Sequence, residues 1–69
     1  MTDHEILIAA SKIKHLKGLT VNEMLFHSNL MDEFDLAVNE KNLSRTKFIL
    51  KALNLNSETI QEIINKIAT

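Results

Sequence analysis

The sequence predicts an all-α fold: a compact bundle of four to five short helices ending in a C-terminal helical hairpin, all in one domain over residues 1–69. Three observations carry that expectation. Proline is absent and Gly18 is the only glycine, whereas a strand-rich fold of this size would use both in several tight turns. Apolar residues recur at helical spacing, most plainly at Ile60, Ile63, Ile64 and Ile67. Ser, Thr and Asn punctuate the chain where helices need caps.

Each element rests on these signals. Thr2 with Glu5 reads as a capping box opening a first helix, whose stripe is Ile6, Ala9, Ala10, Ile13 and Leu16. Lys12, Lys14 and Lys17 crowd its last turns, and Gly18 suits the left-handed residue beyond its end. Thr20 with Glu23 is a second capping box. The stretch from Thr20 to Lys41 is open to two readings. Ser28-Asn29 ahead of Asp32 and Glu33 looks like a fresh N-cap with an acidic first turn. Met24, Met31, Phe34 and Val38 instead continue one helical period across the whole stretch. Under either reading Leu30, Phe34, Ala37 and Val38 share one face. A helix over Ser44–Leu53 is apolar around more than half its circumference, which marks the central helix of a bundle. Asn54 then fits a left-handed C-cap, Leu55 the residue that folds back, and Asn56 or Ser57 the cap of a last helix over Ser57–Ala68.

Composition narrows the function. A chain of 69 residues has a thin core. It lacks cysteine, so neither disulfides nor thiolate metal sites support it. The formal net charge is −1, which gives no global field for nucleic acid or anionic membrane. The longest apolar run, Ile6 to Ala10, is far too short to span a bilayer. The acidic start, Met1 to Glu5, does not read as a signal peptide, and the cytoplasm is the expected compartment. His4, His15 and His27 have no metal-ligand spacing, and no serine stands in a glycine-flanked elbow. Lack of glycine excludes a phosphate cradle. No catalytic residue, metal or cofactor is therefore expected.

Charge is shared unevenly. Residues 19–43 hold Glu23, Asp32, Glu33, Asp35 and Glu40 against Lys41, a net of −4. Residues 44–53 hold Arg45, Lys47 and Lys51, a net of +3. Such faces serve solubility in most proteins, but they also suit docking to an oppositely charged partner.

The last third carries a more specific resemblance. Leu53, Asn54, Leu55, Ser57, Ile60 and Ile63 resemble the helix-turn-helix of DNA-binding regulators, with a first helix ending on an apolar residue, a turn, a polar cap and a recognition helix. The resemblance lies within residues 44–68. It implies DNA contacts from Arg45, Lys47, Lys51, Ser57, Gln61 and Asn65. Two features depart from the pattern. Leu50 stands where the family has a small residue, and Glu58 and Glu62 would face phosphate with the wrong sign.

A second signal lies upstream. Val21, Met24, Leu25, Phe26, Leu30 and Met31 exceed what one helix face can bury. Met-rich faces also serve adaptable partner surfaces. With Asp32 and Asp35 beside them, they form the candidate partner-binding region. The expectation is a small non-enzymatic regulator or inhibitor that binds another protein or itself as a homodimer. The DNA-binding regulator is the alternative.

Overall fold

Five short helices succeed one another in the computed structural model, which describes residues 1–68: α1 Asp3–Ser11, α2 Val21–His27, α3 Met31–Asn39, α4 Leu43–Ala52 and α5 Ser57–Ala68. No strand occurs among the described residues. Both capping boxes form. The Thr2 hydroxyl accepts the Glu5 N–H at 3.2 Å while the Glu5 carboxylate accepts the Thr2 N–H at 2.8 Å. Thr20 and Glu23 repeat this at 3.2 and 2.9 Å. These bonds to the threonine backbone hold both carboxyls below the ordinary glutamate range. The Asn42 side chain caps α4 by accepting the Arg45 N–H, and Asn56 caps α5 by accepting the Thr59 N–H. These side chains satisfy donors that no intrahelical carbonyl reaches.

Three helices stop in the same way. Asn29, Lys41 and Asn54 have φ of 62°, 55° and 66°. The residue after each closes back five positions: Leu30 to the Leu25 carbonyl at 2.9 Å, Asn42 to Ala37 at 2.9 Å, and Leu55 to Leu50 at 3.3 Å. This is the Schellman arrangement. Asn29 and Asn54 suit it, because a short polar side chain tolerates left-handed backbone. Lys41 has no such excuse for its Cβ. Lys41→Gly is expected to raise stability by about 0.5–1 kcal/mol, read as a higher melting temperature; an unchanged or lower one would show that Lys41 is unstrained.

The break between α2 and α3 is therefore real, and the single long helix is ruled out. Its chemistry differs from the expected fresh N-cap. Ser28 closes α2, with its hydroxyl directed at the Leu25 carbonyl at 3.3 Å, and Leu30 opens α3 without a side-chain cap. The first helix also ends sooner than its stripe suggests. Past Ser11 the bonds become i→i−3, from Lys12, Ile13, Lys14 and Leu16, and the Ser11 hydroxyl donates to the Ile8 carbonyl at 2.6 Å. A serine bonded to its own backbone competes with helix continuation, and the tighter bonds draw the chain into a turn. Ile13 stays buried but Leu16 turns outward. Gly18, at φ 74°, bends the connection to α2 rather than closing α1.

α4 is the central helix, packing against α1, α3 and α5, while α2 packs on α3. Its Ile49 joins Ile6, Ala9, Ala10, Ile13, Leu25, Leu30 and Leu53 in the main core. Its Leu50 forms a second, smaller core with Ile60 and Ile64. Of the last helix's stripe, Ile63 and Ile67 are only half-buried. The radius of gyration, 11.1 Å, matches the roughly 11 Å of a well-folded chain this long.

Candidate functional site

The apolar residues proposed for partner binding divide sharply. Leu25 and Leu30 belong to the main core and offer no surface. The Schellman closure of α2 carries Leu30 inward, so a surplus on one helix becomes core between two. Val21, Met24 and Met31 are half-buried against that core. Phe26 alone of the group stands out, 69% exposed, with its ring edge-on to His27 at 5.4 Å and 76°. Phe26, Asn29, Met31 and Asp32 line a shallow hollow of about 320 Å³ at the corner between α2 and α3. Asp32 and Asp35 are both exposed there.

Leu36, outside the candidate region read from the sequence, is 52% exposed. A signal for it exists. Asp32 lies four residues before it, Glu33 three before and Glu40 four after, so a helix puts all three around it. Glu33 turns inward to Arg45, so the exposed Asp32 and Glu40 are what mark this side as outward.

Arg45 is held in place rather than presented to solvent. Its Nε and Nη2 donate to Glu33 Oε2 at 3.4 and 3.1 Å, its Nη1 donates to Asp3 Oδ1 at 3.3 Å, and its Nη2 also donates to the Met1 carbonyl. The Met1 amino group lies 3.4 Å from the same Glu33 oxygen. The network ties the start of α1 to α3 and α4. The hydrogen bonds from Arg45 hold the Glu33 carboxyl below its ordinary range, with burial pulling the other way.

The remaining residues of the DNA-binding resemblance lie at the surface: Lys47 and Lys51 on α4, and Ser57, Gln61 and Asn65 on α5. Gln61 donates to the Asn65 side chain at 2.9 Å, so the two polar groups suited to reading bases bond each other. Glu58 and Glu62 are exposed on the same helix. Leu50 is fully buried under α5.

The exposed charges outside α5 are unevenly shared among the elements. Glu23, Asp32, Asp35 and Glu40 lie exposed on α2, α3 and the residue closing α3. Lys12, Lys14 and Lys17 come after α1, and Lys47 and Lys51 lie on α4. Lys14 and Leu16 share a crevice with Ala52, Leu53 and Asn54, so the turn after α1 adjoins the end of α4. Among the described residues no three His, Asp or Glu side chains gather as a metal site, and no helix is long and apolar enough to cross a membrane.

Comparison with protein-family models, with curated proteins and with solved structures finds no match. The surface chemistry is what bears on function.

Proposed function

We propose that the protein is a non-enzymatic interaction module that binds protein through the corner of α2 and α3. The observation that carries this reading is Phe26. The chain has three aromatic residues, and this one stands 69% exposed above a hollow walled by Met31 and rimmed by Asp32. Aromatic anchors beside adaptable methionine and a charged rim are the make-up of an interface centre. The helix-turn-helix reading is the weaker one. Its arginine is engaged by Glu33 and Asp3, and its second helix exposes two glutamates that phosphate would repel.

The test compares three immobilised baits in extract from the source cells: the native chain, Phe26→Ala and, as a control on α5, Glu62→Gln. A partner held by the native chain and the control should fall by at least about tenfold on Phe26→Ala, as removal of a central aromatic anchor predicts. Phe26 adds little to the core, so the variant's melting temperature should stay within a few degrees of the native one. Equal capture by all three baits would remove the α2–α3 corner as the binding surface.

A further inference from the structure

We infer that the occupant of this surface is a cationic amphipathic helix of another protein, with its apolar side on Phe26 and Leu36 and its lysines or arginines against the carboxylates around them. The inference rests on the binding surface proposed above and names the chemistry of what it takes. Two exposed apolar side chains supply the anchors, Phe26 at 69% and Leu36 at 52% exposure. Asp32 connects them. It shares the hollow with Phe26 and lies one helical turn before Leu36. The helical form of the occupant follows from the surface. No strand occurs among the described residues, so an extended peptide finds no sheet edge to pair with. Anchors on neighbouring turns instead suit apolar residues at i, i+3 or i+4, and i+7 of a docked helix.

The charge around these anchors selects the sign of the partner. Between Lys17 and Lys41 the sequence has no lysine or arginine. Glu23 lies one turn before Phe26 on α2, and Glu40 one turn after Leu36. Both are exposed, as are Asp32 and Asp35. Asp32, Asp35 and Glu40 are in no ion pair among the described residues. His27 is the one basic side chain on α2 or α3. Lys41 lines a hollow with Leu43, Ile67 and Ala68, so it lies towards α5. A partner bearing phosphates would be repelled here, and one bearing lysine or arginine is drawn in and held in register. The other adjacent exposed apolar pair, Leu7 and Ile8 of α1, lacks this signature. Asp3 and Glu5 precede it and Lys12 follows it, so no single sign selects an occupant there.

A random peptide library displayed on phage tests this, selected in parallel on the native chain and on Phe26→Ala. Peptides enriched on the native chain alone should carry apolar residues at helical spacing with lysine or arginine between them. The most enriched peptide, fluorescently labelled, is then titrated by anisotropy. Its affinity should fall about tenfold for Phe26→Ala and severalfold for Leu36→Ala. Asp32→Lys with Asp35→Lys should weaken it by about tenfold or more, since two attractions become repulsions. Raising salt from about 0.05 M to about 0.5 M should weaken it severalfold by screening. Glu58→Lys with Glu62→Lys makes the same charge change on α5 and should bind like the native chain. All these sites are exposed, so every variant should keep the native helical signal.

Phe26-dependent peptides that are acidic or uncharged overturn the inference, as does a library that yields no Phe26-dependent peptide. So does binding indifferent to salt, or an α5 variant as impaired as the α3 variant. The binding surface itself stands or falls separately: Phe26-dependent capture of a protein from cell extract would keep the surface even where the cationic helix is discarded.

Discussion

Leu50→Ala is expected to remove most of the stability of this fold. Leu50 is wholly buried, and it is the α4 residue against which Ile60 and Ile64 of α5 pack. Truncating a buried leucine costs about 2–5 kcal/mol, from lost burial and from the cavity left behind. A domain of this length has roughly 3–10 kcal/mol in all. Urea unfolding monitored by far-ultraviolet circular dichroism should show the midpoint falling by half or more. An alanine here would also produce the small residue that a helix-turn-helix has at this point, so the measurement bears on that resemblance. A variant as stable as the native chain would mean that α4 and α5 cross closely enough to want a small residue, as in the DNA-binding family. The native packing, with leucine filling the space between them, argues for the loss.

Arg45→Met should destabilise the fold by about 1–3 kcal/mol at neutral pH. Methionine keeps much of the apolar stem but leaves Glu33, only 17% exposed in its side chain, without its main partner. Charge-assisted hydrogen bonds of this kind contribute more than surface ion pairs. The loss should depend on pH. Arg45 lowers the Glu33 pKa in the folded state, so the unfolded chain takes up a proton first as pH falls. The stabilisation is whole above the unfolded glutamate value of about 4.3 and disappears as pH falls through the lower folded value. The native and Arg45→Met stability curves should therefore converge in acid and separate above about pH 5. Parallel curves would show that the network contributes through packing alone.

The helices are legible in the sequence because their signals are local. Thr2–Glu5 and Thr20–Glu23 are three residues apart, and the reciprocal bonds they form need nothing from the rest of the fold. Asn54 and Leu55 likewise announce the end of α4, one in left-handed backbone and the other closing back on Leu50. Lys41 gives no such signal, because lysine has no preference for left-handed backbone. Its conformation is imposed by Asn42, which closes α3 and caps α4 in consecutive bonds. The early end of α1 is hidden by Ile13, which remains buried after the helix has ceased.

The candidate site is legible only in part. Periodicity shows that a residue shares a face with others, but it does not say which face a neighbouring helix will cover. Leu25 and Phe26 illustrate this: adjacent in sequence, they fall at 1% and 69% exposure. The direction of α3, set by Asn29 at φ 62° and Leu30 behind it, decides between them. Thr46 is a further case. Its hydroxyl donates to the Asn42 carbonyl at 2.9 Å, and with that bond made the residue is wholly buried inside α4.

The position of α4 has a consequence for how quickly the chain reaches this structure. Helices next to one another in sequence, α2 with α3, α3 with α4 and α4 with α5, are also next to one another in space. α1 crosses an intervening stretch of chain to meet its main neighbour, α4, and Val21 of α2 reaches across the sequence to the core of Leu50, Ile60 and Ile64. Folds assembled chiefly from near-sequence contacts fold in microseconds to milliseconds. Closure of α1 onto α4 and of Val21 onto the second core are then the long-distance encounters, and the chain entropy they must overcome is what slows the molecule relative to its local helix pairs.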